Sequence, residues 1–191
     1  MLVTTKLGYL GPEGTYTEQA AQQIIMELNL TSNPIPLLPI ETVFSELEAR
    51  HIDMAVVPRR NSIVGDYIET VQCLQRYDVR QIHMIRMRII LAIGALPESR
   101  EQGITEVWSK DTALGECNLY LDRHFPGARR LDVQSTAYAM QQIAERSLQQ
   151  AAAIGSELGL KKYGLRIIDS DIGNDRENYT TFIALERGGS R

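Results

Sequence analysis

Strand-like and helix-like segments alternate along the whole chain. Short apolar or β-branched runs predict strands at residues 6–10, 36–38, 54–57, 80–93, 106–108, 130–133, 151–154, 166–168 and 180–185. Between them, a helical periodicity predicts helices at residues 17–28, 43–50, 68–77, 112–124, 136–147 and 157–163. Because helices and strands that alternate in sequence usually pack as helices on a sheet, the pattern predicts an α/β fold.

Composition excludes several classes of function. The 191 residues are 43% hydrophobic and 23% charged with a net charge of -4, so the chain lacks the basic field that nucleic-acid binding requires. The longest apolar run, residues 89–96, is too short to cross a membrane, and the start of the chain does not resemble a secretion signal. We therefore expect a cytoplasmic protein. Cys73 and Cys117 lack metal-ligand spacing, which predicts buried free thiols and no metal site.

A glycine-rich turn follows the first strand-like segment and consists of Gly11, Pro12, Glu13, Gly14 and Thr15. The glycines allow a tight bend, and free backbone N–H groups before a helix could hold an anion. Thr15 or Thr17 could cap that helix. The turn could equally be no more than a way to leave the strand.

Hydroxyl or amide residues precede several other predicted helices. Capping explains this pattern without any function, and it is the preferred interpretation for Thr42. Asn61 with Ser62, and Ser135 with Thr136, follow predicted strands, and ligands of open α/β sheets collect beyond the carboxyl ends of strands. These turns could therefore surround one anionic substrate.

Together these motifs resemble the catalytic domain of the prephenate dehydratase family. The matching residues, in order along nearly the whole chain, are Gly11-Pro12-Glu13-Gly14-Thr15 with Glu18-Gln19-Ala20-Ala21, Pro58-x-x-Asn61-Ser62-Ile63-x-Gly65, Ser135-Thr136-Ala137, Ala153-Ile154-x-Ser156, Tyr163-Gly164-Leu165 and Asn178-x-Thr180-x-Phe182. The resemblance implies a two-lobed α/β fold similar to type II periplasmic binding proteins, with the active site in the cleft between lobes. It also implies prephenate, a cyclic dicarboxylate, as the small-molecule substrate, with no cofactor.

The resemblance further implies how the chain is divided. We expect residues 1–77 with 171–191 to form lobe 1 and residues 78–170 to form lobe 2. The phenylalanine-sensing C-terminal regulatory domain of the family is not expected here. Relatives often pair, so a homodimer stays open.

The chain departs from the family pattern at three motifs. The usual Thr-Arg-Phe is Thr180-Thr181-Phe182, the usual Glu-Asn-Ser is Arg60-Asn61-Ser62, and the usual Ser-His-Pro-Gln-Ala-Leu is Ser109-Lys110-Asp111-Thr112-Ala113-Leu114. The family's catalytic residues map onto Asn61, Thr180 and, at the Gln position, Thr112. Arg59 and Arg60 are expected to hold substrate carboxylates in place of the missing arginine, the alternative being a solvated charge run. The other residues expected to bind substrate are Gly11, Pro12, Glu13, Gly14, Thr15, Ser62, Ser109, Ser135, Thr136, Ala137, Asn178, Thr181 and Phe182.

Three functions are compatible with this pattern. The expected one is decarboxylation of prephenate without aromatisation, because small stand-alone relatives in bacilysin-like and aeruginosin-like peptide biosynthesis also depart from the Thr-Arg-Phe and Gln motifs. An ordinary prephenate dehydratase is the alternative, because Asn61 and Thr180 are kept. A non-catalytic binder of a shikimate-derived acid is the third. His51, His83 and His124 have no motif partners and are expected to be structural or at the surface.

Overall fold

The computed structural model describes residues 4–189, which fold as two compact units. The first unit runs to Arg88 and resumes at Asn178, and the second covers Ile89–Glu177. These boundaries differ from the expected ones after residues 77 and 170, because a strand that ends at Arg88 pairs with the last strand of the chain. Residues 1–3 and 190–191 of the expected lobe 1 lie outside the described residues.

The first unit contains a six-stranded mixed sheet of β1 (Leu7–Leu10), β2 (Ile35–Leu37), β3 (Met54–Asn61), β4 (Gly65–Asp66), β5 (Val79–Arg88) and β11 (Tyr179–Arg187). The strand order is β2-β1-β3-β11-β5, and β4 pairs with β3 beside this path. Strands β1, β2 and β3 are parallel, whereas β11 runs antiparallel to β3 and β5. The first residues of β11 therefore meet the carboxyl end of β3. The helices are α1 (Tyr16–Glu27), α2 (Ile40–Glu48) and α3 (Ile68–Arg76).

Helix α2 covers the centre of this sheet. Its sequence places Val43, Phe44 and Leu47 on one face, at the three- and four-residue spacing of a helix, and all three are buried. They pack in one cluster with Ile183 and Leu185 of β11. Burial of each large apolar side chain contributes roughly 1.5–3 kcal/mol, so this cluster holds β3 and β11 together below the polar residues at their ends.

The second unit contains a five-stranded sheet with the order β10-β6-β9-β7-β8. Its strands are β6 (Ala92–Ala95), β7 (Glu106–Ser109), β8 (Arg129–Asp132), β9 (Ala151–Gly155) and β10 (Arg166–Asp169). The helices are α4 (Asp111–Glu116), α5 (Asn118–His124), α6 (Thr136–Glu145) and α7 (Glu157–Lys162), with a 3-10 turn at Glu101–Gly103. Four of the five residues of the central strand β9 are alanine or glycine, which lets α6 pack closely, and a Cβ at Gly155 would lie 2.9 Å from Met140 Cε.

The predicted alternation of strands and helices is confirmed, with two segments divided. Residues 80–93 form not one strand but β5 and β6, which pair in different sheets. Residues 112–124 form two helices that meet at Cys117. In both cases the apolar pattern continues through the break, so no local signal marks it.

The predicted caps are confirmed at two helices and wrong at two other places. Thr15 caps α1 and Ser135 caps α6, each through its side-chain oxygen. Thr42 lies inside α2 and is not its N-cap, because the helix begins earlier, after Pro39. Asn61 does not begin a helix either, since it ends β3 and α3 starts only after Tyr67.

The other features expected from composition concern thiols, metals and membranes. Cys73 and Cys117 are free and buried, as predicted. Across residues 4–189, no group of three or more His, Cys, Asp and Glu side chains is arranged to hold a metal ion. In the same part of the chain, no helix combines the length and apolarity needed to cross a membrane.

Candidate active site

A buried hydrogen-bond network joins the end of β3 to the start of β11. Asn61 lies directly opposite Thr180 in the antiparallel ladder. Its side-chain nitrogen Nδ2 donates to Asn178 Oδ1 at 2.7 Å and to Thr180 Oγ1 at 2.9 Å. The exposed fractions of Asn61, Asn178 and Thr180 are 5%, 2% and 2%. The fold thus brings together three of the residues that the sequence pattern singled out.

The orientation of the Asn61 amide is fixed by its neighbours. Its oxygen Oδ1 accepts hydrogen bonds from the backbone N–H groups of Ile63 at 2.8 Å and Val64 at 3.0 Å, which forms the turn after β3. Both hydrogens of Nδ2 are used by Asn178 and Thr180. A reversed amide would set donor against donor at the turn and acceptor against acceptor at Asn178.

This orientation leaves the Thr180 proton available. Because Thr180 Oγ1 accepts from Asn61, its own hydrogen must point elsewhere. Within residues 4–189, no protein group accepts a hydrogen bond from that hydroxyl. Each donor in such a chain of hydrogen bonds polarises the next, which makes the Thr180 hydroxyl a better proton donor than an isolated threonine.

The two arginines before Asn61 form a different contact. Arg60 lies opposite Thr181 and Pro58 lies opposite Phe182, so Arg59 is the extra residue of a β-bulge. Since side chains alternate along a strand, Arg60 and Thr181 project from the face opposite to that of Asn61. Both guanidinium groups approach Asp66 Oδ1, at 3.2 Å for Arg59 and 3.4 Å for Arg60.

Arg59 nevertheless has a spare donor. Its Nη1 atom is buried, and the contact with Asp66 lacks hydrogen-bond geometry despite the short distance. A hydrogen bond weakens steeply when it is bent, so this contact satisfies the Arg59 donor poorly. An ion pair of this partly exposed kind contributes at most about 1 kcal/mol, so a bound carboxylate could compete with Asp66 for Arg59.

Thr181 has two cationic neighbours in the sheet. It lies opposite Arg60 on β3 and opposite Arg86 on β5, and the Arg86 guanidinium carbon lies 4.2 Å from the centre of the Tyr179 ring. An arginine at position 181 would set three like charges side by side, which destabilises a sheet. Thr181 thus replaces the arginine of the family's Thr-Arg-Phe motif, and an arginine lies opposite it on each of the two adjacent strands.

The glycine-rich turn is largely satisfied by the protein itself. The Gly11 N–H donates to the Leu37 carbonyl at 3.0 Å, and the Gly14 N–H donates to Glu18 Oε2 at 2.5 Å. Gly14 has a φ of 82°, which favours glycine at this position. The buried Glu18 carboxylate thus occupies the N-terminal end of α1, where an anion is favoured. The amides of Gly11 and Gly14 thus already have acceptors within the protein, and the substrate contact expected of this turn stays a prediction.

Two more residues of the first unit have structural partners. The Ser62 hydroxyl accepts from the Tyr179 N–H at 2.9 Å, and the Ser62 N–H donates to the Tyr179 carbonyl at 2.8 Å. These bonds tie the turn after β3 to the start of β11. Phe182 is buried in the core of the unit.

In the second unit, Ser109 and Thr112 lie around the start of α4. Ser109 is fully buried, and its hydroxyl donates to the Ile154 carbonyl at 2.8 Å, which joins β7 to β9. The Thr112 N–H donates to Asp111 Oδ1 at 2.6 Å, and the Asp111 N–H donates to Asp132 Oδ1 at 2.8 Å. Carboxylates of the chain therefore already fill the N-terminal end of this short helix.

Ser135, Thr136 and Ala137 begin helix α6. The Ser135 hydroxyl accepts from the Tyr138 N–H at 3.0 Å, and Ala137 is buried.

The titratable groups outside the network include one carboxyl group with an altered pKa, that of Glu116 on α4. Partial burial, reinforced by the charge of Asp175, raises the pKa of Glu116. The three histidines have other neighbours: His51 contacts Glu46, His83 contacts Glu27, and His124 stacks on Tyr120.

The sequence analysis missed one contact, that of the Glu18 carboxylate with the Gly14 N–H. Glu18, not a bound substrate, supplies the anion at the start of α1. The signal was present, because a threonine followed three residues later by glutamate is the spacing of a capping box. The contact of Arg59 and Arg60 with Asp66 had no such signal, since it depends on the pairing of β4 with β3.

The fold and the buried amide-hydroxyl network define an α/β domain with a polar site where the carboxyl end of β3 meets the start of β11. The family model for prephenate dehydratase matches residues 7–190, and the chain belongs to this family.

Individual relatives agree with this assignment. The bifunctional chorismate mutase/prephenate dehydratase of Aquifex aeolicus (strain VF5) is 30% identical over 182 residues, which are 95% of this chain and 49% of that protein. The chain spans about half the length of the curated relatives it matches. The crystal structure of prephenate dehydratase in complex with L-Phe from Arthrobacter aurescens matches 97% of this chain and 60% of its own, with a TM-score of 0.87 and 28% identity.

The expected likeness to periplasmic binding proteins is also confirmed. A periplasmic substrate-binding protein of an ABC transporter from Coxiella burnetii matches 96% of this chain and 84% of its own, with a TM-score of 0.50. At 12% identity this likeness concerns the fold alone. The names of these relatives give no support to decarboxylation without aromatisation over dehydration.

Proposed function

We propose that this chain is a lyase that converts prephenate into phenylpyruvate, carbon dioxide and water. The carbon–carbon bond to the ring carboxylate breaks, and its electron pair moves through the diene as carbon dioxide leaves. A proton added to the C4 hydroxyl lets that group depart as water, so the ring becomes aromatic. No electrons are gained or lost overall, and the reaction needs no redox partner.

The hydrogen-bond geometry of the Thr180 hydroxyl is the single observation that carries this proposal. Its oxygen is held by Asn61 Nδ2 at 2.9 Å, and its hydrogen has no protein acceptor within the described residues. General acid catalysis needs such a positioned donor and contributes about 10²–10⁴ in rate. A threonine hydroxyl is a weak acid, so we propose that it protonates the leaving oxygen as the C4–O bond breaks and regains a proton from water.

Cations are needed to hold a twice-negative substrate in a chain whose net charge is -4. We propose Arg59 for this role, because its buried Nη1 lacks a hydrogen-bond acceptor among residues 4–189. Arg60 is a weaker candidate, since it belongs to the opposite face of the sheet. Substrate contacts of Thr112, Ser135 and Thr136 stay predictions from the resemblance.

Decarboxylation without aromatisation is the second candidate, and the threonines at positions 112 and 181 favour it. In this outcome the electron pair left by carbon dioxide takes a proton at a ring carbon, and the C4 hydroxyl is kept. In that case the product enters secondary metabolism instead of phenylalanine biosynthesis. The arginines beside Thr181 weaken this argument, because cationic side chains remain in that row of the sheet.

One incubation separates the candidates. The purified protein is mixed with prephenate near neutral pH, and the products are identified by ultraviolet absorbance and mass spectrometry, beside a reaction without protein because prephenate aromatises spontaneously in acid. Phenylpyruvate supports the dehydratase, and a product that lost carbon dioxide but kept its hydroxyl supports the decarboxylase. Unchanged prephenate together with a raised unfolding temperature would instead indicate a binding protein and refute both.

A further inference from the structure

We propose that Asn178 is a positioning residue that keeps the Thr180 proton free, an inference that rests on the proposed function. Asn178 Oδ1 accepts one hydrogen of Asn61 Nδ2 at 2.7 Å, and Thr180 Oγ1 accepts the other at 2.9 Å. Asn178 thus acts on the reaction through Asn61, without touching the reacting atoms. This differs from the direct substrate contact that the resemblance implied.

The spacing of Asn178 and Thr180 explains how one amide can hold both. Asn178 directly precedes β11, and both its side chain and that of Thr180 contact the Asn61 amide. The two hydrogens of an amide nitrogen diverge, and each finds one acceptor here. Asn178 and Thr180 therefore each accept one hydrogen of Asn61 Nδ2, and these two hydrogen bonds fix the orientation of the Asn61 amide.

The alternative arrangement of the network shows what Asn178 prevents. If the Asn61 amide turned over, its oxygen would face Thr180 and would accept the hydroxyl proton, which would then be unavailable to a substrate. The same rotation would bring Asn61 Oδ1 to the position of Nδ2, 2.7 Å from Asn178 Oδ1, where two acceptors repel. The N–H groups of Ile63 and Val64 oppose the rotation from the other side.

Three variants test the inference by steady-state kinetics with prephenate. Asn178→Ala removes the acceptor, and loss of one buried hydrogen bond predicts that kcat falls about five- to tenfold while KM changes less than about twofold. Asn178→Asp keeps an acceptor at the same place, so kcat stays within about threefold of wild type while KM rises because a carboxylate repels the anionic substrate. Thr70→Val is the matched control. It removes a buried hydrogen bond of 2.8 Å from the Thr70 hydroxyl on α3 to the carbonyl of Pro58, which lies on β3 as Asn61 does.

The outcomes separate positioning from simple stabilisation. An unchanged kcat in Asn178→Ala would overturn the inference, as would an equal loss of kcat in the Asp, Ala and Thr70→Val variants. If the wild type does not turn over prephenate, the proposed function fails, and the positioning role is judged by NMR instead. In that case slowed exchange of the Asn61 side-chain amide hydrogens that disappears in Asn178→Ala supports the role, and unchanged exchange refutes it.

Discussion

Replacing Thr180 by valine exchanges the side-chain hydroxyl for a methyl group and changes little else. Valine has nearly the shape of threonine and favours strands equally well, so β11 should form unchanged. The substitution deletes the oxygen that accepts from Asn61 Nδ2 at 2.9 Å and the proton that we propose is donated to the substrate.

The expected effects on stability and catalysis differ in size. A buried N–H of Asn61 that loses one acceptor costs about 1–3 kcal/mol, and the added methyl group returns about 0.8 kcal/mol. The variant should therefore lose about 0.2–2 kcal/mol of the roughly 5–15 kcal/mol by which a domain is usually stable. Loss of a general acid lowers kcat about 10²–10⁴-fold, which corresponds to about 3–5 kcal/mol in the activation free energy.

The assay compares initial rates of phenylpyruvate formation and carbon dioxide release from saturating prephenate, together with urea unfolding. Thr180→Ser keeps the hydroxyl and should retain a kcat within about tenfold of wild type, whereas Thr70→Val should lose stability without a comparable loss of kcat. A Thr180→Val variant with nearly wild-type kcat would refute the reasoning. Loss of dehydration with carbon dioxide release unchanged would instead assign Thr180 to the dehydration step alone.

Two further predictions concern stability. Thr15→Ala removes the side-chain cap that accepts from the Glu18 N–H at 3.3 Å, and it should lower the free energy of unfolding by about 1 kcal/mol in urea titrations; an unchanged midpoint would contradict the capping role. Burial raises the pKa of Cys117 from 9.0 to about 12, so the unfolded state loses this proton first and stability should fall as the pH rises through that interval. In Cys117→Ala the decline between pH 9 and pH 10 should be shallower by up to about 1.4 kcal/mol per pH unit, and equal slopes in both proteins would exclude Cys117 as a cause.

The positions of most helices and strands could be predicted from periodicity. The segment at residues 80–93 shows the limit of this method, because its apolar pattern does not record that β5 pairs with β11 while β6 pairs with β9. The start of β11 shows another limit. No local sequence pattern predicts that Tyr179 belongs to the strand, because its place there depends on pairing with Arg88.

The sequence singled out the three residues of the buried hydrogen-bond network but not their hydrogen-bond roles. The motifs named Asn61, Asn178 and Thr180, but only the pairing of β3 with β11 shows which atom of each donates and which accepts. The same pairing moves Arg60 to the opposite face of the sheet. Capping geometry likewise shows that Glu18 uses the Gly14 amide that a substrate was expected to use.

By itself the sequence determined the family, the α/β class and the residue types available for catalysis, because these follow from local periodicity and from motifs in a fixed order. The tertiary structure alone decided which of those residues share a face and where their hydrogens point. Hydrogen-bond direction and sheet register depend on partners more than a hundred positions away, such as Asn61 and Thr180, and no local pattern encodes a geometry that two distant segments create together.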